Sequence, residues 1–169
     1  MKKSVFLFFI CLLIIQTVLA QVSFKTVNGL KANYSLSIPD EYYSKTGVGR
    51  NVDLKYVNSN GASILTVVTN APPGTSENDL IQMANTTNQD LKRQLESTGL
   101  ENISIINKGL RQINGVTSYY AYYRSTILYH HVITQLVKGK IISLTYTCEY
   151  RLKDSYMPYI NRVSNSLTW

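Results

Sequence analysis

Two hydrophobic spacings alternate along this chain, one of two residues and one of three to four, and each switch marks the edge of an element. Between residues 33 and 38, Tyr34, Leu36 and Ile38 fall on every second position. That spacing predicts a strand with one buried face, halted by Pro39. A short extended piece around Phe24 and a turn at Asn28-Gly29 come before it. Residues 40–51 are polar and punctuated by glycine, which predicts a loop. Strands over 52–57 and 62–69 then flank Asn58-Ser59-Asn60-Gly61, whose Asn-Gly pair tolerates the positive φ of a tight hairpin. Ser63-Ile64-Leu65-Thr66-Val67-Val68 is apolar on both faces, so this strand is expected inside the sheet with cover on each side.

The spacing lengthens after Ala71-Pro72-Pro73-Gly74. Ser76, with Asp79 three positions on, opens a helix. Leu80, Ala84, Thr87, Leu91 and Leu95 recur at helical intervals until Gly99, which predicts one amphipathic helix of about six turns. Strand spacing returns over 103–108, 117–124, 128–137 and 141–150, with turns at Asn114-Gly115 and Lys138-Gly139-Lys140. A second helix closes the chain, with Ser155 as its cap, Pro158 in its first turn, and Tyr156, Ile160, Val163 and Leu167 as its apolar stripe. The predicted class is α+β: a three-layer α/β/α sandwich around a central, mainly antiparallel sheet of six or seven strands, with two main helices.

The first residues follow neither spacing. Lys2 and Lys3 precede an apolar run over 5–15, a polar break at Gln16-Thr17, and Val18-Leu19-Ala20. This is the pattern of a cleaved secretory signal peptide over residues 1–20, leaving a single domain over 21–169 and no transmembrane anchor. Cys11 follows Ile10 in mid-run, which does not match a lipoprotein site. Cleavage removes one of two cysteines and lowers the net charge from +7 to +5. The remaining charge is scattered, so nothing marks a nucleic-acid surface. Cys148 lies on the apolar phase of its strand and is expected to be a packed core thiol. Asn33, Asn85 and Asn102 head Asn-x-Ser/Thr triplets, which matter only where exported proteins are glycosylated.

Candidate chemistry is sparse. His130 and His131 are the only histidines, and as strand neighbours they point to opposite faces. They are weak metal candidates, since one imidazole would need distant carboxylates such as Asp53 to complete a site. Gly47-Val48-Gly49-Arg50 lacks the Lys-Ser/Thr of a phosphate loop and precedes a strand, so no nucleotide and no other cofactor is implied. The thirteen tyrosines are the unusual feature. They suit half-buried sheet positions and recognition surfaces alike. Strand alternation is expected to place Tyr119 and Tyr123 on one face, with Tyr120, Tyr122 and Arg124 divided across both. Candidate binding residues are Tyr42, Tyr43 and Arg50 in the loop over 40–51, and Tyr120 and Tyr122 in the sheet.

Several stretches together resemble the PsbP family, the extrinsic proteins of photosystem II and their bacterial relatives. They are Tyr34-Ser35-Leu36-Ser37-Ile38-Pro39, Asn114-Gly115-Val116-Thr117-Ser118-Tyr119-Tyr120, His131, Lys138-Gly139-Lys140-Ile141-Ile142-Ser143-Leu144-Thr145 and Val163-Ser164-Asn165-Ser166-Leu167. The resemblance implies an α/β/α sandwich, also seen in a Ran-binding nuclear transport factor, and a habit of binding partners or modulating assemblies. It does not imply photosynthesis, because the leader lacks the long Ser/Arg-rich segment of the plant members. The expected function is therefore an exported, non-enzymatic binding or accessory module with a protein or envelope partner. The rival expectation is a small secreted hydrolase or metal-dependent enzyme using His130 or His131.

Overall fold

The computed structural model describes residues 22–169, and the leader over 1–20 lies outside the described residues. Nine strands and three helices follow in order: β1 Phe24–Asn28, β2 Ser35–Pro39, β3 Tyr43–Ser44, β4 Val52–Val57, β5 Ser63–Asn70, α1 Glu77–Asn85, α2 Asn88–Ser97, β6 Ser104–Ile113, β7 Val116–Ser125, β8 Leu128–Val137, β9 Lys140–Glu149, and α3 Lys153–Asn165. Seven strands form one sheet in the order β3-β4-β5-β9-β8-β7-β6, every pair antiparallel. Strands β1 and β2 form a separate antiparallel ribbon, where one sheet was expected. The ribbon closes over the same side as α3 and is tied to the chain end by a bridge from Ser35 to Thr168.

The sheet has two cores because alternation sends two sets of side chains to opposite faces. On the α3 face, Ile64, Ile133, Ile142, Leu144 and Tyr146 are fully buried against Ile160 and Val163 of the helix and Leu36 and Ile38 of the ribbon. Cys148 belongs to this core, where burial pushes its thiol up to about 11. On the opposite face, Tyr119, Ala121 and Tyr123 meet Leu80 of α1, with Leu91 and Leu95 of α2 beside them. The three layers are thus α1–α2, sheet, and α3 with the ribbon.

Four boundaries differ from the expected ones. The long helix is two, because Thr86 and Thr87 both adopt extended ψ. The Thr87 hydroxyl accepts from the Asp90 N–H at 3.1 Å, and Thr86 turns its own hydroxyl back on the Gln82 carbonyl at 3.0 Å. Threonine bonds its own backbone readily enough to end one helix and cap the next. The last helix starts at Lys153 after a single 3-10 turn over Tyr150–Leu152, so Ser155 is interior and Pro158 lies beyond the first turn. Leu167 falls past the helix end yet is fully buried, held by Asn114, whose side-chain N–H donates to its carbonyl at 2.8 Å. Strand β6 runs five residues past Lys108, straight through Gly109. A Cβ at Gly109 would lie 3.0 Å from the Tyr120 hydroxyl, so the glycine makes room for a cross-strand ring instead of ending the strand.

Ile160 is fully buried between the ribbon and the sheet, whereas Leu30 is 81% exposed. Urea unfolding is expected to show a loss of about 2–5 kcal/mol for Ile160→Ala and a change within about 0.5 kcal/mol for Leu30→Ala. Equal effects would contradict this layering.

Candidate functional site

Helices α1 and α2 sit over β6, β7 and β8 and leave a cleft of about 510 Å³ between themselves and the sheet. Met83, Leu91 and Leu95 form its helical wall, and Tyr119, Tyr123 and Val132 form much of its floor. Thr134 and Thr145 add hydroxyls to the floor, while Gln82, Gln94 and Asp79 stand on the helical side. The Asp79 carboxylate also accepts from the Ser76 N–H at 2.7 Å, so it is committed to the start of α1. Burial pushes the Tyr119 phenol up to about 12 and raises that of Tyr123 as well. Both phenols are therefore neutral at pH 7, and the cleft offers apolar surface and uncharged hydrogen-bonding groups. Met83 remains 40% exposed at its wall.

His130 lies on the same face of the sheet, two positions before Val132 and directly across from Tyr123. Its Nε2 is 2.6 Å from the Ser125 hydroxyl and its Nδ1 is 3.1 Å from the Thr147 hydroxyl, while its ring stacks on Tyr123 at 4.7 Å. Burial holds the imidazole down to about 4. His131 points to the α3 face and is 1% exposed, with its ring 4.1 Å from that of Tyr122. Neither of its nitrogens has a hydrogen-bond partner among the described residues. Burial, and then the neighbouring Arg111 cation, push it down to about 3. Arg111 makes one long contact, Nη1 to the Tyr122 hydroxyl at 3.5 Å, while its Nε and Nη2 are buried without partners.

Neither imidazole bonds a carboxylate, and among the described residues no three of His, Cys, Asp and Glu converge as a metal site. Asp53 is committed elsewhere. Its carboxylate accepts from the Lys31 N–H at 2.8 Å, from the Leu30 N–H at 3.1 Å and from the Tyr34 hydroxyl at 2.7 Å, fixing the β1–β2 connection.

The residues singled out by sequence do not form one patch. Tyr42 is buried in the α3-side core with its hydroxyl bonded to that of Tyr146, so its ring faces no solvent. Tyr43 is 50% exposed on β3 beside the end of β4, and Arg50 is exposed in the loop before the start of β4, so the two lie at opposite ends of that strand. Tyr120 and Tyr122 lie near the opposite edge of the sheet, half-buried, with rings 4.9 Å apart. They share one face with Arg124, against the expected division, because positions two apart on a strand cannot diverge. The cleft itself was missed. Its trace in the sequence is the mixed row of Gln82, Met83, Thr86 and Gln94, polar and apolar together on the inward side of the helical segment.

No protein-family model matches the sequence, and no curated protein matches it. Solved structures do match. Cyanobacterial PsbP (CyanoP) from Synechocystis sp. PCC 6803 superposes with a TM-score of 0.68 at 16% identity, over 90% of this chain and 96% of that one. The Saccharomyces cerevisiae Ran-binding protein Mog1p gives 0.58 at 9% identity, over 87% and 95%. LpqN of Mycobacterium tuberculosis, involved in cell envelope biogenesis, gives 0.59 at 10% identity, over 88% and 91%. The class is thus a three-layer α/β/α sandwich. Within that class the chain has the PsbP-like fold.

Both imidazoles are depressed in the folded chain, so the unfolded chain takes up protons first as pH falls. Their contribution is unchanged above about 6.5 and destabilises progressively below it, until about 4 is passed for His130 and about 3 for His131. His131→Phe is expected to flatten the decline between pH 6 and 4 by up to about 1.4 kcal/mol per pH unit, read by urea unfolding across that range. A slope identical to that of the unsubstituted protein would contradict the burial of this ring.

Proposed function

We propose that the protein is an exported, non-enzymatic accessory module that recognises a protein or an envelope ligand. The observation that carries the reading is the cleft between α1–α2 and the sheet, walled by apolar side chains and hydroxyls that stay neutral at pH 7. Such a surface holds a ligand by burial and uncharged hydrogen bonds. The histidines suit it poorly for the rival hydrolytic or metal-dependent role, since a base with a pKa of about 4 or 3 drives proton abstraction weakly. Two proteins of similar fold support the reading by what they do: Mog1p binds Ran, and LpqN acts in envelope biogenesis. Tyr43 and Arg50, exposed at opposite ends of β4, supply further contacts, and Tyr120 and Tyr122 another. Tyr42 supports the loop from beneath through Tyr146.

Export rests on the leader pattern of residues 1–20, and no helix among the described residues is long and apolar enough to cross a membrane. N-terminal sequencing of the protein recovered from outside the cytoplasm is expected to begin at Gln21. A retained Met1 would remove the export half of the proposal.

Recognition is tested by affinity capture from the native envelope, with proteins and lipids both analysed by mass spectrometry. Met83→Arg places a charge in the cleft at a half-exposed site, so the fold should persist with a melting temperature within a few degrees. Its capture of the specific partner or ligand is expected to fall at least about tenfold, against about threefold or less for Tyr43→Ala with Arg50→Ala. Undiminished capture by Met83→Arg, or no specific species at all, would defeat the reading.

A further inference from the structure

The two edges of the main sheet are unequal. One is β3, only two residues long, and the other is β6, ten residues long. Strand β6 joins β7 through the two-residue turn Asn114-Gly115, both residues with positive φ. In such a hairpin the flanking pair, Ile113 and Val116, exchanges both backbone hydrogen bonds, and bonding alternates from there. Ile113, Arg111 and Gly109 therefore bond β7, while the N–H and carbonyl groups of Gln112, Leu110 and Lys108 point outward from the sheet. Among the described residues no other backbone or side chain pairs with them. A bulge at Ile106 interrupts the register before this stretch, leaving a regular open run from Lys108 to Ile113. An edge of this length is a template for another strand.

We infer that this edge accepts an extended segment of a partner protein, rich in acidic and apolar residues in alternation, as an eighth strand. Charge selects that occupant. Strands β6, β7 and β8 contain no Asp or Glu, whereas β6 carries Lys108 and Arg111. The Lys108 ammonium caps the end of α1 by donating to the Ala84 carbonyl. Arg111 has no ion-pair partner among the described residues, and two of its guanidinium nitrogens are buried without hydrogen bonds. Arg111 is only half-buried, but cationic N–H groups held without acceptors are costly, and a carboxylate brought alongside its guanidinium offsets that cost. The apolar half of the pattern comes from the other face, where Leu110 is 38% and Ile106 49% exposed. Neighbouring residues of an added strand point to opposite faces, so an apolar residue beside Leu110 places its acidic neighbour on the side of Arg111. A second copy of this chain fits worse, since its own edge brings another Lys108 and Arg111 and no carboxylate. This inference is independent of the cleft.

The test titrates the exported protein with two blocked eight-residue peptides, one alternating valine and glutamate, the other alternating valine and lysine, while amide NMR signals are followed. The glutamate peptide is expected to shift and protect the Lys108, Leu110 and Gln112 amides saturably and to bind at least about tenfold tighter than the lysine peptide, less so at high salt. Leu110→Pro removes one outward N–H without touching the β7 ladder and is expected to weaken binding about tenfold or more. Leu110→Thr keeps that N–H and should stay within about threefold. Gln112→Pro replaces Leu110→Pro if the latter does not fold, and Arg111→Gln should weaken only the glutamate peptide. Absent β6 shifts, shifts confined to the cleft, equal affinity for both peptides, or self-association of the protein through β6 would each overturn the inference. Failure here leaves Met83→Arg capture unaffected, so the two proposals fail separately.

Discussion

The contact between the central strands and α3 organises this molecule. Ile64, Leu144 and Ile133 come from three adjacent strands, β5, β9 and β8, and with Ile160 and Val163 they are almost wholly removed from water. Burying side chains of that size is worth roughly 1.5–3 kcal/mol each, which makes this the largest block of hydrophobic free energy available to so short a domain. The polar groups caught beneath it are satisfied in turn. Tyr34 bonds Asp53 and Thr66, Asn58 bonds Tyr156, and Gln135 links Ser118 to the indole of Trp169. His131, Arg111 and the buried Ser164 hydroxyl of α3 stand apart from that rule, and the first two lie toward the β6 side of the sheet.

A rigid floor on one face permits an incomplete cover on the other. Helices α1 and α2 are short, break at a pair of threonines, and bury Leu80 alone among their side chains. Their incomplete seal over Tyr119, Tyr123 and Val132 is what leaves the cleft. Binding surfaces are drawn from such weakly packed layers, because they can adjust at little cost while the sheet holds its shape. Burial keeps Tyr119, Tyr123 and His130 on this face neutral, which suits recognition better than proton transfer.

Much of the fold was legible in the sequence because both spacings were clean. The alternation around Leu144, Tyr146 and Cys148 placed a core strand and its thiol correctly, Asn114-Gly115 marked a real two-residue turn, and of the expected turn Lys138-Gly139-Lys140 the first two residues form it while Lys140 begins β9. What failed was local punctuation. The strand expected over 103–108 runs on through Gly109, whose place opposite Tyr120 no local window shows, and Thr86-Thr87 resembled helix interior although Thr87 repeats with Asp90 the signature that Ser76 makes with Asp79. The separation of β1 and β2 from the main sheet depends on contacts with α3 and the chain end, which no local window contains. The candidate site was less legible still. Tyrosine marks half-buried positions without saying which side is wet, so Tyr42 proved to be core while Tyr43 beside it is exposed.

The central claim is that a rigid sandwich binds through its loosely covered face. Hydrogen exchange of the protein, with and without an extract of the cells that make it, tests this directly. The account predicts slowed exchange in α1, α2 and the middle of β7, with α3 and the ribbon unchanged. Unaltered exchange around the cleft, or slowing confined to α3 and the ribbon, would contradict it.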